Sequence, residues 1–467
     1  MDEKIRLIKN TGLIALGNFS AKMVSFLLLP LYTSILSTAE YGTYDYIVTI
    51  STFLLPIVTL SMTEAMFRFI IDTGNEGIDF KRVVSNAFFV ILAGITVSGC
   101  IFIILELAAS LNYLLYIWLY LTASSMYSFS NNLLRGLGRM KEYAIISSAK
   151  NILTVLLNVI SIVVLKMGMY GLLISLCFSE ILAFVVVAVI SRLHKQISIS
   201  LISKSTIKEL LTYSLPLIPN TLGATIINLS DRLIISNVMG PSANGIYSVS
   251  YKFPNVVETV YHYFYTAWSE SASRVFRKGK DAAVKYYQSL FEEINNFVFS
   301  LILIMTAAMP IMFRIFVRGN YIEGFDYVPL LMFAMYFNCI AMFFSGIYTA
   351  YKKTKLIAVS TIIAAVVNIV LNITLVNHIG LYGAAVATLL AELLLVVIRK
   401  ILIRDEIDFQ IKGKKTIIEI VIALLIVFLY DFNNWSKICI SIFISGLYAI
   451  TVNKKLLLTL IKFLKKA

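Results

Sequence analysis

Lys22 is a charge in an expensive place. It stands about 12 residues into the first long apolar run, some ~18 Å from the run's start at 1.5 Å per helical residue. A lysine side chain snorkels only a few ångströms. An ammonium at that depth needs a wet cavity or a carboxylate beside it. Two chemistries follow: anion binding in a polar lumen, or an ion pair with Asp45 or Glu64. Thr11, Asn18, Lys22, Ser25 and Tyr32 advance by steps of three, four or seven and form one helical stripe. Asp45, Thr49, Thr52, Pro56, Thr59 and Thr63 form a second stripe on the next apolar run.

Adding 203 to these numbers gives the pattern again. Ser214, Thr221, Thr225, Asn228 and Arg232 lie on one stripe, and Ser248, Lys252, Asn255, Thr259, His262 and Thr266 on its partner. The turns match as well, Tyr41-Gly42-Thr43-Tyr44 against Asn244-Gly245-Ile246-Tyr247. The stripes nominate Lys22, Arg232 and Lys252 as cations for an anionic substrate. Asn18, Asn228, Asn255 and the threonines suit hydroxyl groups, and Arg68 and His262 complete the binding candidates. Lys252 reads equally well as snorkelling to the outer interface. Arg232 follows Asp231 directly, and adjacent helical residues do not face each other. Glu64 and Arg68 are spaced to pair along one helix. His262, between Tyr261 and Tyr263, reads more simply as a hydrogen-bonded packing residue, and Lys150 as snorkelling inward.

A second echo carries two carboxylates. Gly168-Met169-Tyr170-Gly171 precedes Glu180 by nine residues, and Gly380-Leu381-Tyr382-Gly383 precedes Glu392 by the same interval. Burial raises a carboxyl pKa, so Glu180 and Glu392 are ion-coupling candidates with Asp45 and Glu64; hydrogen bonding across helices is the plainer role. Pro30, Pro56, Pro216, Pro219 and Pro254 fall in the stripe-bearing runs and should bend them.

The elements that position these residues are membrane helices. The chain has 467 residues, 59% hydrophobic and 14% charged, against roughly 25% charged in soluble domains. Apolar runs long enough to cross a bilayer predict an all-α polytopic protein of about fourteen spans. These runs lack the two-residue alternation of barrel strands, and the first is too long for a cleavable signal. The expected parts are a six-helix lobe over 1–195, a cytoplasmic linker over 196–209, a second six-helix lobe over 210–404, and two extra helices with a basic tail over 405–467. An even span number makes the repeat parallel.

Of the 40 Lys and Arg, 31 fall on the side holding both termini and 4 on the other, with 5 inside spans. That bias predicts cytoplasmic termini and accounts for most of the net charge of +14. The basic residues occupy short loops rather than one patch, which argues against nucleic acid as a partner. The tail over 454–466 reads as lying on anionic lipid. Cys100, Cys177, Cys339 and Cys439 each sit in an apolar run without CxxC spacing, so neither metal nor cofactor is expected.

The chain resembles, over nearly its whole length in span count and spacing and most clearly over Asn10–Phe69, the Wzx-type polysaccharide transporter family of the multidrug/oligosaccharidyl-lipid/polysaccharide exporter superfamily. The likeness rests on Leu29-Pro30-Leu31-Tyr32, Glu40-Tyr41-Gly42-Thr43-Tyr44, Arg135-Gly136-Leu137-Gly138-Arg139 and the two Gly-x-Tyr-Gly echoes. It implies a V-shaped pair of six-helix lobes, alternating access, and a substrate of undecaprenyl-pyrophosphate-linked oligosaccharide moved to the outer leaflet of a bacterial inner membrane. Polymerase and export proteins would be the partners. An ion-coupled exporter of small drugs or metabolites is the second reading; it favours acidic and aromatic lumen residues, of which the stripes offer only Asp45. A membrane enzyme needs an extracytoplasmic catalytic loop, and no loop exceeds about 20 residues.

Overall fold

The computed structural model describes residues 26–73, 77–109, 113–277, 279–407, 409 and 413–454. Among them every regular element is a helix. Backbone contacts divide the chain into two compact units, Met1–Ser236 with Gly240–Gly245, and Asn237–Met239 with Ile246–Ala467.

The first unit runs α1 (Leu29–Ile35), α2 (Thr38–Val58), α3 (Met62–Thr73), α4 (Ile78–Ala109), α5 (Leu114–Gly136), α6 (Met140–Val159), α7 (Gly168–Ile190), α8 (Leu193–Gln196) and α9 (Lys204–Ser214), then most of α10 (Leu217–Met239). A capping box starts α2: Ser37 Oγ accepts from the Glu40 amide, and the Glu40 carboxylate accepts from the Ser37 amide at 2.9 Å. The helix ends after Pro56. Leu60 and Ser61 then adopt φ of 50° and 47°, left-handed values that cost a non-glycine residue roughly 1–2 kcal/mol each. The break bends α2 against α3 by 50°. Its freed groups are satisfied locally: the Ser61 amide donates to the Pro56 carbonyl and the Thr59 hydroxyl to the Leu55 carbonyl.

Beyond the bend, Met62, Ala65, Met66 and Ile70 of α3 pack on Phe80, Val84, Ala87 and Ile91 of α4 and on Phe129 and Leu133 of α5. The segment expected as a linker is structured. Ser85 and Asn86 of α4 hold it, Ser85 by accepting from the Ser198 amide at 2.9 Å, Asn86 by bonding the Leu201 carbonyl and the Ser203 amide. Its α9 packs on α3 and α4.

The second unit contains most of α11 (Pro241–Phe276), then α12 (Lys280–Phe316), α13 (Val328–Ala350), α14 (Thr354–Ile379), α15 (Leu381–Ile403), α16 (Gly413–Phe428) and α17 (Trp435–Val452). Its centre is aromatic. Trp268 stacks on Phe343 at 4.5 Å, meets Tyr287 edge-on and donates its indole N–H to the Phe343 carbonyl. The two added helices dock on α12, where Phe299, Leu303 and Ala307 meet Ile426 and Tyr448.

Among the described residues, eight helices are long and apolar enough to cross a bilayer, or up to ten if each bent pair is one span. The fourteen expected spans are therefore not all matched by that test. Two physical reasons stand out. Helices α5 and α11 carry long polar faces, and α16 has only 16 residues.

Candidate functional site

Seven residues of α5 form one stripe: Tyr120, Ser124, Tyr127, Ser128, Asn131, Asn132 and Arg135. They floor an open groove of about 260 Å³ in the first unit. Thr52 and Leu55 of α2, Tyr143 of α6 and Glu180 of α7 complete its walls. Arg135 needs the end of α5 to reach the groove, and Tyr143 enters because α6 turns back after Gly138, at φ 70°.

Glu180 is 5% exposed. It accepts a 2.6 Å hydrogen bond from Ser124 and faces Lys150 Nζ of α6 at 3.7 Å. Lys150 lies over the Tyr127 ring at 4.6 Å. It points to a partner rather than snorkelling inward, because a nearby buried carboxylate holds an ammonium better than an interface two turns away. The network continues from Tyr127 through Ser147 to Asn131, while Thr154 of α6 bonds Ser179 of α7 at 2.6 Å. Glu180 thus makes its contacts across helices. Arg135 differs: its guanidinium lies over the Phe67 ring at 4.6 Å, donates to Asn132 at 3.2 Å, and has no carboxylate within ion-pairing distance among the described residues.

Asp45 and Arg232, expected in separate roles, meet. Arg232 Nε donates to Asp45 Oδ2 at 2.8 Å, and the two side chains are 8% and 13% exposed. The cation expected to face substrate is paired with Asp45 here. Close backbone contact beside the pair brings them together. A Cβ on Gly42 would lie 1.8 Å from the Pro241 carbonyl oxygen, and one on Gly245 2.0 Å from that of Thr38. Only glycine permits that approach. Thr38 and Ser242 hydroxyls meet at 2.5 Å, and Asn244 donates to the Gly42 carbonyl. These glycines are the ones the 203-residue repeat equates.

The remaining candidates are scattered. Asn18 and Lys22 lie outside the described residues, and the Asn228 side chain is likewise undescribed. Arg68 pairs with Asp72, not with Glu64 as the spacing suggested, and Glu64 accepts from Thr63 at 2.8 Å. Glu64 precedes Arg68 by one turn and Asp72 follows by one, so sequence spacing allowed either. Lys252 and Asn255 are half-buried on α11, with Thr259 buried. His262 is exposed rather than packed, its ring 6.2 Å from Tyr265.

In the second unit, Glu392 accepts from Asn338 of α13 at 3.1 Å. Two turns further along α15 lies Arg399, 5% exposed. Its side chain turns into the unit. It donates to Ser360, to the Ala341 carbonyl, to Ser345 and to Thr361, at 2.7–3.2 Å.

The α5 stripe is the feature that sequence reasoning missed. Its signal was present in the spacing of two Asn, three Ser or Arg and two Tyr on one face, but the repeat drew attention to other helices.

Comparisons with known proteins agree with this architecture. An uncharacterized membrane protein of Methanocaldococcus jannaschii is 23% identical over 415 residues, covering 83% of this chain and 95% of that protein. The solved structure of a lipid II flippase, MurJ, in an inward closed conformation superposes with a TM-score of 0.75 at 16% identity, covering 96% of this chain and 99% of the other. An inward-facing multidrug resistance MATE transporter gives 0.62 at 13% identity, covering 84% and 98%. These likenesses establish the fold. A model of the polysaccharide biosynthesis protein family matches residues 7–269, more than half of the sequence. The chain therefore belongs to the polysaccharide biosynthesis protein family, as a multi-pass membrane protein with the fold shared by MurJ and MATE transporters.

Proposed function

We propose that the protein is a flippase that moves a polyprenyl-pyrophosphate-linked oligosaccharide from the cytoplasmic to the outer leaflet by alternating access, for surface polysaccharide synthesis. One observation carries the reading: the family match over 7–269 spans all four polar stripes together with the α5 groove. A substrate named in the solved relative, lipid II, is also lipid-linked.

The chemistry fits. Moving a pyrophosphate diester, about two negative charges, through hydrocarbon unaided is prohibitive. A wet path with fixed cations lowers that barrier, because fields are strong inside low-dielectric walls. Lys22 and Lys252 are the cations proposed for that path, with Asn18, Asn228 and Asn255 for glycan hydroxyls. Arg232 is assigned to the Asp45 pair in the conformation described, and its release would be part of the cycle. The membrane is the bacterial inner membrane, with both termini cytoplasmic, and polymerase and export proteins would take the product.

The test is deletion of the gene, followed by identification of the lipid-linked glycan that accumulates inside the cell. Unchanged glycan pools with altered export of a small molecule would favour the drug or metabolite exporter instead. Complementation with Lys22→Ala should fail at normal protein level, and Lys22→Arg should restore part of the surface glycan. In a cysteine-free background, cysteines at Lys204 and Asn320 should differ in labelling by an impermeant thiol reagent on intact cells; equal labelling would sink the topology.

A further inference from the structure

The α5 groove has a chemistry of its own. Its floor extends from Arg135 to Tyr120, 15 residues or roughly 22 Å of helix. Its volume of about 260 Å³ falls just below the ~300–1,000 Å³ of pockets that take drug-sized ligands. A single ring with a small substituent is the scale it fits. Three phenol rings line it, Tyr120, Tyr127 and Tyr143, and such faces pack against the C–H side of a pyranose. Asn131, Asn132 and the hydroxyls of Thr52, Ser124 and Ser128 offer both donors and acceptors, as vicinal diols require.

Charge decides the rest. The carboxylate of Glu180 is balanced by Lys150 at 3.7 Å. Among the described residues no carboxylate balances the guanidinium of Arg135, and Phe67 and Asn132 hold it in place. The groove therefore carries one net positive charge at one end, in a group that binds phosphate or carboxylate through two parallel N–H donors.

We propose that this groove is a saccharide subsite in which Arg135 holds the anionic group of one sugar: a glycosyl phosphate or a carboxylate-bearing sugar. The proposal rests on the glycan reading above and assigns to it a place and a residue outside the four stripes. Ser124 and Glu180 lie at the far end of the groove from Arg135, so the ring would lie along α5 with its anion toward the α5–α6 turn.

The experiment uses the full chain in lipid nanodiscs and four probes: glucose 1-phosphate, glucuronic acid, glucose and inorganic phosphate, read by calorimetry. One of the first two should bind about tenfold or more tightly than either of the last two. Glucose 1-phosphate as the winner identifies the lipid-proximal sugar; glucuronic acid identifies an acidic sugar within the repeat. Arg135→Gln should remove the preference, Arg135→Lys should keep part of it, and Tyr143→Ala should weaken both sugars. Arg82→Gln, an exposed arginine paired with Asp79, should leave binding unchanged. Unfolding temperature and elution profile establish that each variant folds. No preference for an anionic sugar, or a preference that survives in folded Arg135→Gln, overturns the subsite. Complementation separates the two readings: folded Arg135→Gln restoring full surface glycan overturns the subsite while the flippase stands. Failure of the deletion to accumulate any lipid-linked glycan defeats the flippase instead, and the calorimetry still decides the groove.

Discussion

Glu180 and Glu392 follow matching Gly-x-Tyr-Gly turns by the same nine residues, and both are buried, at 5% and 7% exposed. Even their turns agree, with Gly168 at φ 57° and Gly380 at φ 60°. Their neighbourhoods do not agree. Glu180 faces an ammonium from another helix and borders an open groove. Glu392 meets the amide of Asn338, while the arginine two turns along its own helix is consumed by a carbonyl and three hydroxyls. The two stretches match in backbone turn and carboxylate position. The partners, which come from other helices, diverged. One copy kept polar groups around a space, and the other closed them into a packed core. A repeat therefore transmits position and not role.

The largest effect should come from the closed copy. Arg399→Met leaves three buried acceptors and one half-buried hydroxyl without their donor, and unpaired buried groups cost about 1–3 kcal/mol each. Thermal unfolding in detergent should show a loss on the order of 3 kcal/mol or more, partly relieved as hydroxyls reorient. An unfolding temperature within a degree of wild type would mean that water already reaches this cluster, and the contrast between the copies would break.

Glu180→Gln comes next. It strands Lys150 at a mostly buried site, for an expected loss of about 2 kcal/mol, below the full cost of a deeply buried pair because the groove admits water. Lys150→Met in the same chain should return part of that loss. A double variant no more stable than the single would show that the two residues are uncoupled. Glu392→Gln should be milder, under about 1 kcal/mol, because the amide still offers Asn338 an acceptor. If Glu392→Gln costs as much as Glu180→Gln, the two copies are equivalent after all.

The smallest effect concerns a surface cluster of one carboxylate and two lysines in the second unit. Glu406 accepts from Lys280 at 2.7 Å and Lys353 at 2.8 Å, and these hydrogen bonds hold its carboxyl below the usual carboxylate range. A folded pKa below the unfolded one adds stability above the unfolded pKa, and the gain disappears as pH falls through the folded value. The acid-side fall in unfolding temperature should thus flatten slightly in Glu406→Gln, and further still in salt, since surface pairs are weak and screened. An unchanged acid limb would remove Glu406 from the account of stability and leave the buried contrast untouched.

Much was legible in the sequence, and for physical reasons. Composition alone dictates membrane helices, because only helices and closed barrels satisfy backbone groups in lipid. The cap that Ser37 and Glu40 form at the start of α2 went unread, although its spacing was in the sequence. The 203-residue repeat located Gly42 and Gly245, which approach each other closely within the first unit. Pairing was not legible. Arg68 chose Asp72 over Glu64, Lys150 chose Glu180, and Arg232 chose Asp45 across 187 positions. Each choice depends on which helices become neighbours and how they are rotated, information that spacing along one helix does not contain. The α5 groove belongs to the same class. Its stripe is written in the sequence, but a stripe becomes a site only when α2, α6 and α7 bring Thr52, Tyr143 and Glu180 to face it. Local periodicity determined the helices and their polar faces. Packing between helices decided which charges are neutralised, and left Arg135 without a carboxylate partner among the described residues.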